Sequence, residues 1–186
     1  QVNLEYKDQE PVPEGDIAVR VSLTGLRGGH SGMDIILGRA NACKLMARFL
    51  KEAIAGYGAR LASFEGGSLR NAIPREASAL VTIPEADADG LWELASDYQD
   101  LLTTEYKHIE DGISLRLERA DLPATVVPEE IQDALLMLAS MAHRVCLLTS
   151  QVLLSPRQIW LELALGQGNS PFSSSSVAPP SHVRSM

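Results

Sequence analysis

The feature that most constrains the fold of this chain is the spacing of its apolar residues, which changes regularly between a strand-like and a helix-like period. Apolar and polar residues alternate, as in half-buried strands, in four segments: 16–26, 59–67, 76–84 and 113–120. Apolar residues recur at spacings of three and four, as in amphipathic helices, in two segments: 38–55 and 87–112. The order strand, helix, strand, strand, helix, strand predicts an α+β domain over 16–122. We expect the ferredoxin-like βαββαβ fold, an antiparallel sheet with both helices on one face.

Three further segments flank this predicted domain. Residues 1–15 are polar and are typical of a lead-in from a longer chain. In 123–143, Pro128 followed by two glutamates predicts the start of a third helix. Residues 144–186 contain a single acidic residue, Glu162, and end in a Ser- and Pro-rich stretch. This atypical tail is interpreted as a disordered terminus, as a segment that packs against missing sequence, or as the product of a reading-frame error.

Charge and cysteine usage exclude several classes of protein. A net charge of −8 and a pI near 5.0 argue against nucleic-acid or anionic-membrane partners, which require a surplus of Lys and Arg. No apolar run approaches the roughly 18 residues that a membrane span needs. Cys43 and Cys146 are far apart and lack metal-ligand spacing, which is typical of a reducing compartment. A cytoplasmic protein is therefore expected.

The stretch most indicative of function is GLRGGHSG, residues 25–32, where a predicted strand meets a predicted helix. Glycines permit positive φ angles and let a substrate approach the backbone, while His30 offers a group that can donate or accept a hydrogen bond. The alternative is a tight connection in which His30 is a solvated surface residue. The stretch matches neither the GxxxxGK[ST] nor the GxGxxG phosphate-binding pattern.

A second candidate stretch is GGSLRNAIPREA, residues 66–77, which places Asn71 and Arg75 around Pro74. An amide both donates and accepts, and a guanidinium can hold a carboxylate through two parallel hydrogen bonds. The alternative is ordinary turn chemistry. The remaining histidines stand singly, so no metal site is expected on this chain.

Together, GLRGGHSG, the helix GRANACKLMARFL and GGSLRNAIPREA resemble the lid domain of M20 metallopeptidases of the aminoacyl-histidine (Xaa-His) or cytosolic non-specific dipeptidase kind. The resemblance covers residues 1–143. It implies that a catalytic domain outside this chain binds two Zn²⁺ ions and hydrolyses a dipeptide under the lid. It also implies that His30 donates a hydrogen bond to the oxyanion of the transition state. The residues it implies as substrate contacts are Asn71, Arg39, Arg75, Ser31 and Gly32.

By this resemblance the chain is a fragment, because it has no counterpart of the metal ligands or of the general base. We therefore expect it to be inactive alone, with a dipeptide substrate and the missing catalytic domain as partners of the complete enzyme. A homodimer formed through the sheet edge is also expected. The alternative is a free-standing ferredoxin-like module that binds a protein or a small ligand, pairing through its sheet edge.

Overall fold

The computed structural model of the chain describes residues 9–67, 69, 71–141 and 147–148. The strands are β1 (Glu10–Pro11), β2 (Asp16–Thr24), β3 (Gly29–His30), β4 (Arg60–Gly66), β5 (Ala72–Ile73), β6 (Ala77–Pro84), β7 (Ser114–Ala120), β8 (Thr125–Val126) and β9 (Leu147–Leu148). The helices are α1 (Ala42–Tyr57), α2 (Ala88–Glu105) and α3 (Glu129–Met141), with short 3₁₀ turns at Ile35–Leu37 and Glu85–Asp87. The predicted order of long strands and helices is confirmed.

One antiparallel sheet organises the molecule, with strand order β7-β2-β6-β4-β9. Its four long strands lie in the order expected of a ferredoxin-like domain, in which the first and third strands are central and the second and fourth are outer. The α+β prediction is confirmed. Two short ribbons, β1 with β8 and β3 with β5, lie outside this sheet.

The core lies between one face of the sheet and the helices. The register places Val19 opposite Val81 and Val21 opposite Ala79, so apolar side chains gather on a single face, as the alternation predicts. Side chains of α1 and α2 cover that face. Helix α3 packs against α1, and four of its side chains join the same core: Leu135, Leu136, Leu138 and Ala139. The third helix therefore shares the core of the sheet, α1 and α2.

The end of α2 differs from the prediction. The helix ends at Glu105, well before Gly112, because Tyr106, with φ −106° and ψ 15°, leaves the helical conformation. The N–H groups of Ile109 and Glu110 both donate to the carbonyl of Tyr106 in the turn that follows. Asp87 lies at the N-cap position of α2, but its side chain makes no capping hydrogen bond.

The flanking segments are described only in part. The lead-in is described from Gln9, and β1 pairs with β8. The predictions for the tail and for Cys146 lie outside the described residues, except that the backbone of β9 pairs with β4 at Glu65 and Gly66. No helix in the described part of the chain is long and apolar enough to span a membrane.

A polar cluster joins α1 to α2 above the core. Arg48 donates from Nε to the Tyr98 hydroxyl at 2.6 Å and from Nη1 and Nη2 to the Glu105 carboxylate at 3.2 and 2.8 Å. These hydrogen bonds hold the pKa of Glu105 below its ordinary value of 4.5. Burial raises the pKa of Tyr98. The Tyr98 ring packs edge-on against the Phe49 ring, with 5.4 Å between the ring centroids. The cluster fixes how the two helices cross.

We predict that Arg48→Met lowers the free energy of unfolding at neutral pH by about 1 kcal/mol, since the Tyr98 hydroxyl loses its partner and a half-exposed ion pair adds little. Because the pKa of Glu105 is lower in the folded protein than its unfolded value of 4.5, the ionised carboxylate stabilises the fold at pH values above 4.5. That stabilisation is lost as the pH falls through the folded pKa. Urea titrations at several pH values should show the difference from wild type shrinking in acid. Arg119→Met is the control, because Arg119 meets Glu85 only at 3.8 Å and both side chains are more than 60% exposed.

Candidate functional site

The two candidate loops meet because of the pairing between β2 and β6. Leu23 lies opposite Ala77, so the segment after β2 and the segment before β6 leave the sheet at the same end. Beyond the sheet these segments pair again as β3 and β5, with His30 opposite Ala72. The Ser31 N–H donates to the Asn71 carbonyl at 2.9 Å. Backbone hydrogen bonds thus join the two stretches that the sequence singles out.

The hydrogen bonds of His30 determine its tautomer. Nδ1 of the exposed ring accepts from the N–H groups of Gly32 at 3.1 Å and Met33 at 3.2 Å. A nitrogen that accepts from two N–H groups carries no proton, so in the neutral imidazole the proton lies on Nε2. The His30 backbone N–H donates to Asp34 Oδ2 at 2.8 Å, which fixes the main chain as well. His30 therefore presents one oriented donor, Nε2–H.

Two positions of the first loop require glycine, because neighbouring atoms occupy the space that a Cβ would need. Gly29 has φ 146°, and a Cβ there would lie 2.6 Å from Asp34 Oδ2 and would collide with the Arg39 guanidinium. Gly25 has φ 82°, and a Cβ there would overlap the carbonyl of Gly112. A side chain at either position would displace the loop from its neighbours.

Arg39 and Ser31, both expected to contact substrate, lie against the loop itself. Arg39 Nη1 donates to the Gly28 carbonyl at 2.6 Å and lies 3.5 Å from Asp34 Oδ2. Ser31 is 2% exposed and, with Arg39, lines a small cavity of about 230 Å³. Its hydroxyl has no hydrogen-bond partner in the part of the chain that the structure describes. The geometry gives Arg39 a role in holding the loop.

Asn71, Arg75 and Gly32 are more accessible. All three are exposed, and Gly32 lies beside the His30 ring. Arg75 lines an open groove of about 670 Å³ between the two loops and the end of the sheet, together with Arg27. Within residues 9–67, 69 and 71–141, no carboxylate forms an ion pair with Arg75. Glu65 and Glu76 line the same groove, so it carries charges of both signs.

Sequence reasoning missed Glu110, which is 3% exposed. Its Oε2 accepts from the Arg27 N–H at 2.7 Å and its Oε1 from the Ala40 N–H at 3.0 Å. These partners lie 83 and 70 residues earlier in the chain, so no local pattern could have identified them. Among the described residues, no group of three or more His, Cys, Asp or Glu side chains is arranged to hold a metal ion.

Comparison with known proteins matches this chain to a peptidase domain and to dipeptidases. Residues 21–110 match the family model of the peptidase dimerisation domain, M20_dimer. Over 113 residues the chain is 42% identical to the cytosol non-specific dipeptidase of Escherichia coli (strain K12), a match that covers 61% of this chain and 23% of that protein. It is similar to the crystal structure of aminoacylhistidine dipeptidase from Vibrio alginolyticus, with a TM-score of 0.69, 41% identity, and coverage of 72% of this chain and 27% of that one. The chain spans about a quarter of the length of these relatives.

We predict that Gly25→Ala lowers the free energy of unfolding by more than about 2 kcal/mol, because its Cβ would overlap the Gly112 carbonyl at an already unfavourable φ. Gly56→Ala is the matched control. Gly56 is inside α1, and among the described residues no atom apart from its chain neighbours and the helix backbone lies within 4 Å of a Cβ there. Alanine should therefore stabilise the protein by about 0.5–1 kcal/mol. Urea denaturation measures both. Equal effects of the two substitutions would contradict the close approach.

Proposed function

We propose that this chain is the substrate-closing lid of a dipeptidase, because residues 21–110 match the peptidase dimerisation domain, M20_dimer. The proposed substrates are Xaa-His and related dipeptides, in keeping with the names of its relatives, an aminoacylhistidine dipeptidase and a cytosol non-specific dipeptidase. The name of the second also supports a cytoplasmic enzyme. The chain itself is proposed to be inactive, since the catalytic groups would belong to the rest of the enzyme.

The observation that carries this proposal is the fixed orientation of His30. When a nucleophile attacks the peptide carbonyl, negative charge develops on the carbonyl oxygen and a well-placed donor lowers the barrier. The bonds from Gly32 and Met33 to Nδ1 leave Nε2–H as the proposed donor. His30 is therefore proposed as the group on the lid that stabilises the transition state.

The neighbouring groups supply proposed substrate contacts. The exposed amide of Asn71 lies on the segment that pairs with the His30 loop. Arg75 in the groove is proposed to hold the substrate carboxylate, a role that its planar guanidinium suits. Ser31 and Gly32 would contact the substrate only through the loop that they share with His30. Arg39 is a weaker candidate than Arg75, because the Gly28 carbonyl and Asp34 already engage its guanidinium.

The two Zn²⁺ ions implied by the resemblance do not fit the described side chains. A zinc site needs at least three convergent His, Cys, Asp or Glu ligands, and the described part of the chain has no such group. The metal ligands are accordingly proposed to lie in the catalytic domain. The contribution of this chain is then substrate closure and one oriented hydrogen bond.

We predict that His30→Ala in the complete enzyme lowers kcat for an Xaa-His dipeptide by about 10²–10³, because the lost contact is made mainly in the transition state. Zinc content and thermal stability should stay close to wild type. His108→Ala is the control, since His108 is an exposed histidine outside both loops. An unchanged kcat together with a lower melting temperature would make His30 a structural residue. The isolated chain serves as the negative control.

A homodimer is proposed to form through the outer edge of β7. Among the described strands, β7 pairs only with β2, so its other edge is open. The opposite edge of the sheet is engaged, because β9 pairs with the end of β4 and the Leu61 N–H donates to the buried side chain of Gln132 at 2.6 Å. An unpaired edge strand is a template for pairing with another chain.

The charges of β7 suit antiparallel pairing with a second copy of itself. If Leu117 lies opposite Leu117 of the partner subunit, Arg116 lies opposite Glu118 of the partner subunit, and the reverse pair forms by symmetry. Both side chains are exposed, and neither forms an ion pair within the described part of the chain. The proposed register therefore brings two pairs of opposite charges together.

We predict that Arg116→Glu and Glu118→Arg, each alone, weaken the dimer by about tenfold or more, because each change sets like charges opposite one another twice. The double variant should recover most of the wild-type affinity, since opposite charges then face each other again. Lys107→Glu is the control, because it makes the same charge change as Arg116→Glu at an exposed position away from β7. Sedimentation equilibrium measures the dissociation constants. Single variants that dimerise as tightly as wild type would rule out this edge as the interface.

A further inference from the structure

We propose that Glu110 is a positioning residue that clamps the loop carrying His30, by bonding both of its stems. The first stem is the start of the loop at Arg27, and the second is its end at Ala40. It would act on the reaction only through His30, so its catalytic consequence rests on the function proposed above for that histidine. The clamp itself is a property of this chain and can be tested without any reaction.

One carboxylate joins the start and the end of the loop. Glu110 Oε2 accepts from the Arg27 N–H, just before the glycine pair, and Oε1 accepts from the Ala40 N–H, just before α1. The side chain is 3% exposed, so water competes little for its two oxygens. Hydrogen bonds from N–H groups to a buried carboxylate are among the strong ones. A single side chain thereby bridges the two stems.

Apolar packing does not provide this restraint. The large apolar side chains between the two stems are exposed: Met33 75%, Ile35 46%, Ile36 87% and Leu37 48%. The 3₁₀ turn at Ile35–Leu37 buries no residue. A loop without a buried apolar anchor depends on polar bonds for its position. Besides Glu110, these are the bonds of Arg39 and Asp34 within the loop and the backbone bonds that join β3 to the β5 segment.

Glu110 is itself held from two sides. Its N–H donates to the Tyr106 carbonyl at 2.9 Å in the turn that follows α2. Gly25 and Gly112 approach so closely that neither tolerates a Cβ, which brings this turn alongside the first stem. The next residue provides a contrast, because Asp111 bonds the exposed side chain of Arg27, at 3.0 Å, and its own side chain is 79% exposed. Two adjacent carboxylates thus differ in burial and in what they bind.

The test compares Glu110→Gln with Asp111→Asn by amide hydrogen exchange, measured by NMR on this chain. Glutamine keeps the shape, but its NH₂ group faces one of the two N–H donors. We expect the Arg27 and Ala40 amides to exchange at least about tenfold faster in Glu110→Gln. The Gly32 and Met33 amides, which bond His30 Nδ1, should also exchange faster.

Core amides such as those of Val19 and Val81 should keep their exchange rates in Glu110→Gln, and Asp111→Asn should leave all of these amides unchanged. Unchanged exchange at Gly32 and Met33 would overturn the proposal, because the clamp would not extend to His30. Uniformly faster exchange, core included, would overturn it too, by showing a general loss of stability. If Glu110→Gln does not fold, Glu110→Asp is the second variant, since it keeps the charge but is too short to reach both stems.

The same substitution in the complete enzyme separates this proposal from the function of His30. If the clamp holds His30 in place, Glu110→Gln should lower kcat with little change in KM, whereas Asp111→Asn should change neither. Faster exchange at Gly32 and Met33 without any loss of kcat would support the clamp and contradict the catalytic role of His30.

Discussion

The pairing of β2 with β6 is the constraint on which the rest of the molecule depends. Eight consecutive residue pairs fix this register, from Asp16 opposite Pro84 to Leu23 opposite Ala77. A slip by one residue would turn the apolar side chains of β2 away from the helices, so the core and the register determine each other. Because the register also fixes where both strands end, it brings the His30 loop and the Asn71 segment together.

The site joins a rigid base to a loop held by polar bonds. The sheet and α1 supply buried apolar contacts, whereas the loop is fixed by backbone donors, two carboxylates and one guanidinium. Such directional bonds specify orientation better than apolar contacts do, because each requires a defined distance and angle. The proposed lid function requires an oriented donor on an accessible surface. The loop has that combination.

The sequence predicted the long elements because each combines a clear period with local end signals. The start of β2 and the end of α1 just before Gly58 are within a few residues of prediction. The two-residue strands were missed, since they exist only through partners distant in the chain. For the same reason α2 was predicted to be too long, because its end depends on turns at Tyr106 that carry Glu110 toward the first loop.

For the candidate site, residue types marked the segments of His30 and Asn71 as candidates, and the family resemblance implied their roles. The fold brings the two segments together. The sequence could not show that Arg39 is engaged by the Gly28 carbonyl. Nor could it distinguish Glu110 from the exposed Asp111 beside it, since burial and pairing arise only in the folded chain.

The bond from Met33 to His30 has a consequence for how this loop can evolve. Met33 contributes only its backbone N–H, and its side chain is 75% exposed. Every residue except proline has that N–H, so position 33 can vary widely among homologous chains while the imidazole keeps its orientation. Variability at this position would then be no sign of functional irrelevance. A proline there would be the informative exception, because it removes a donor that no side chain can replace.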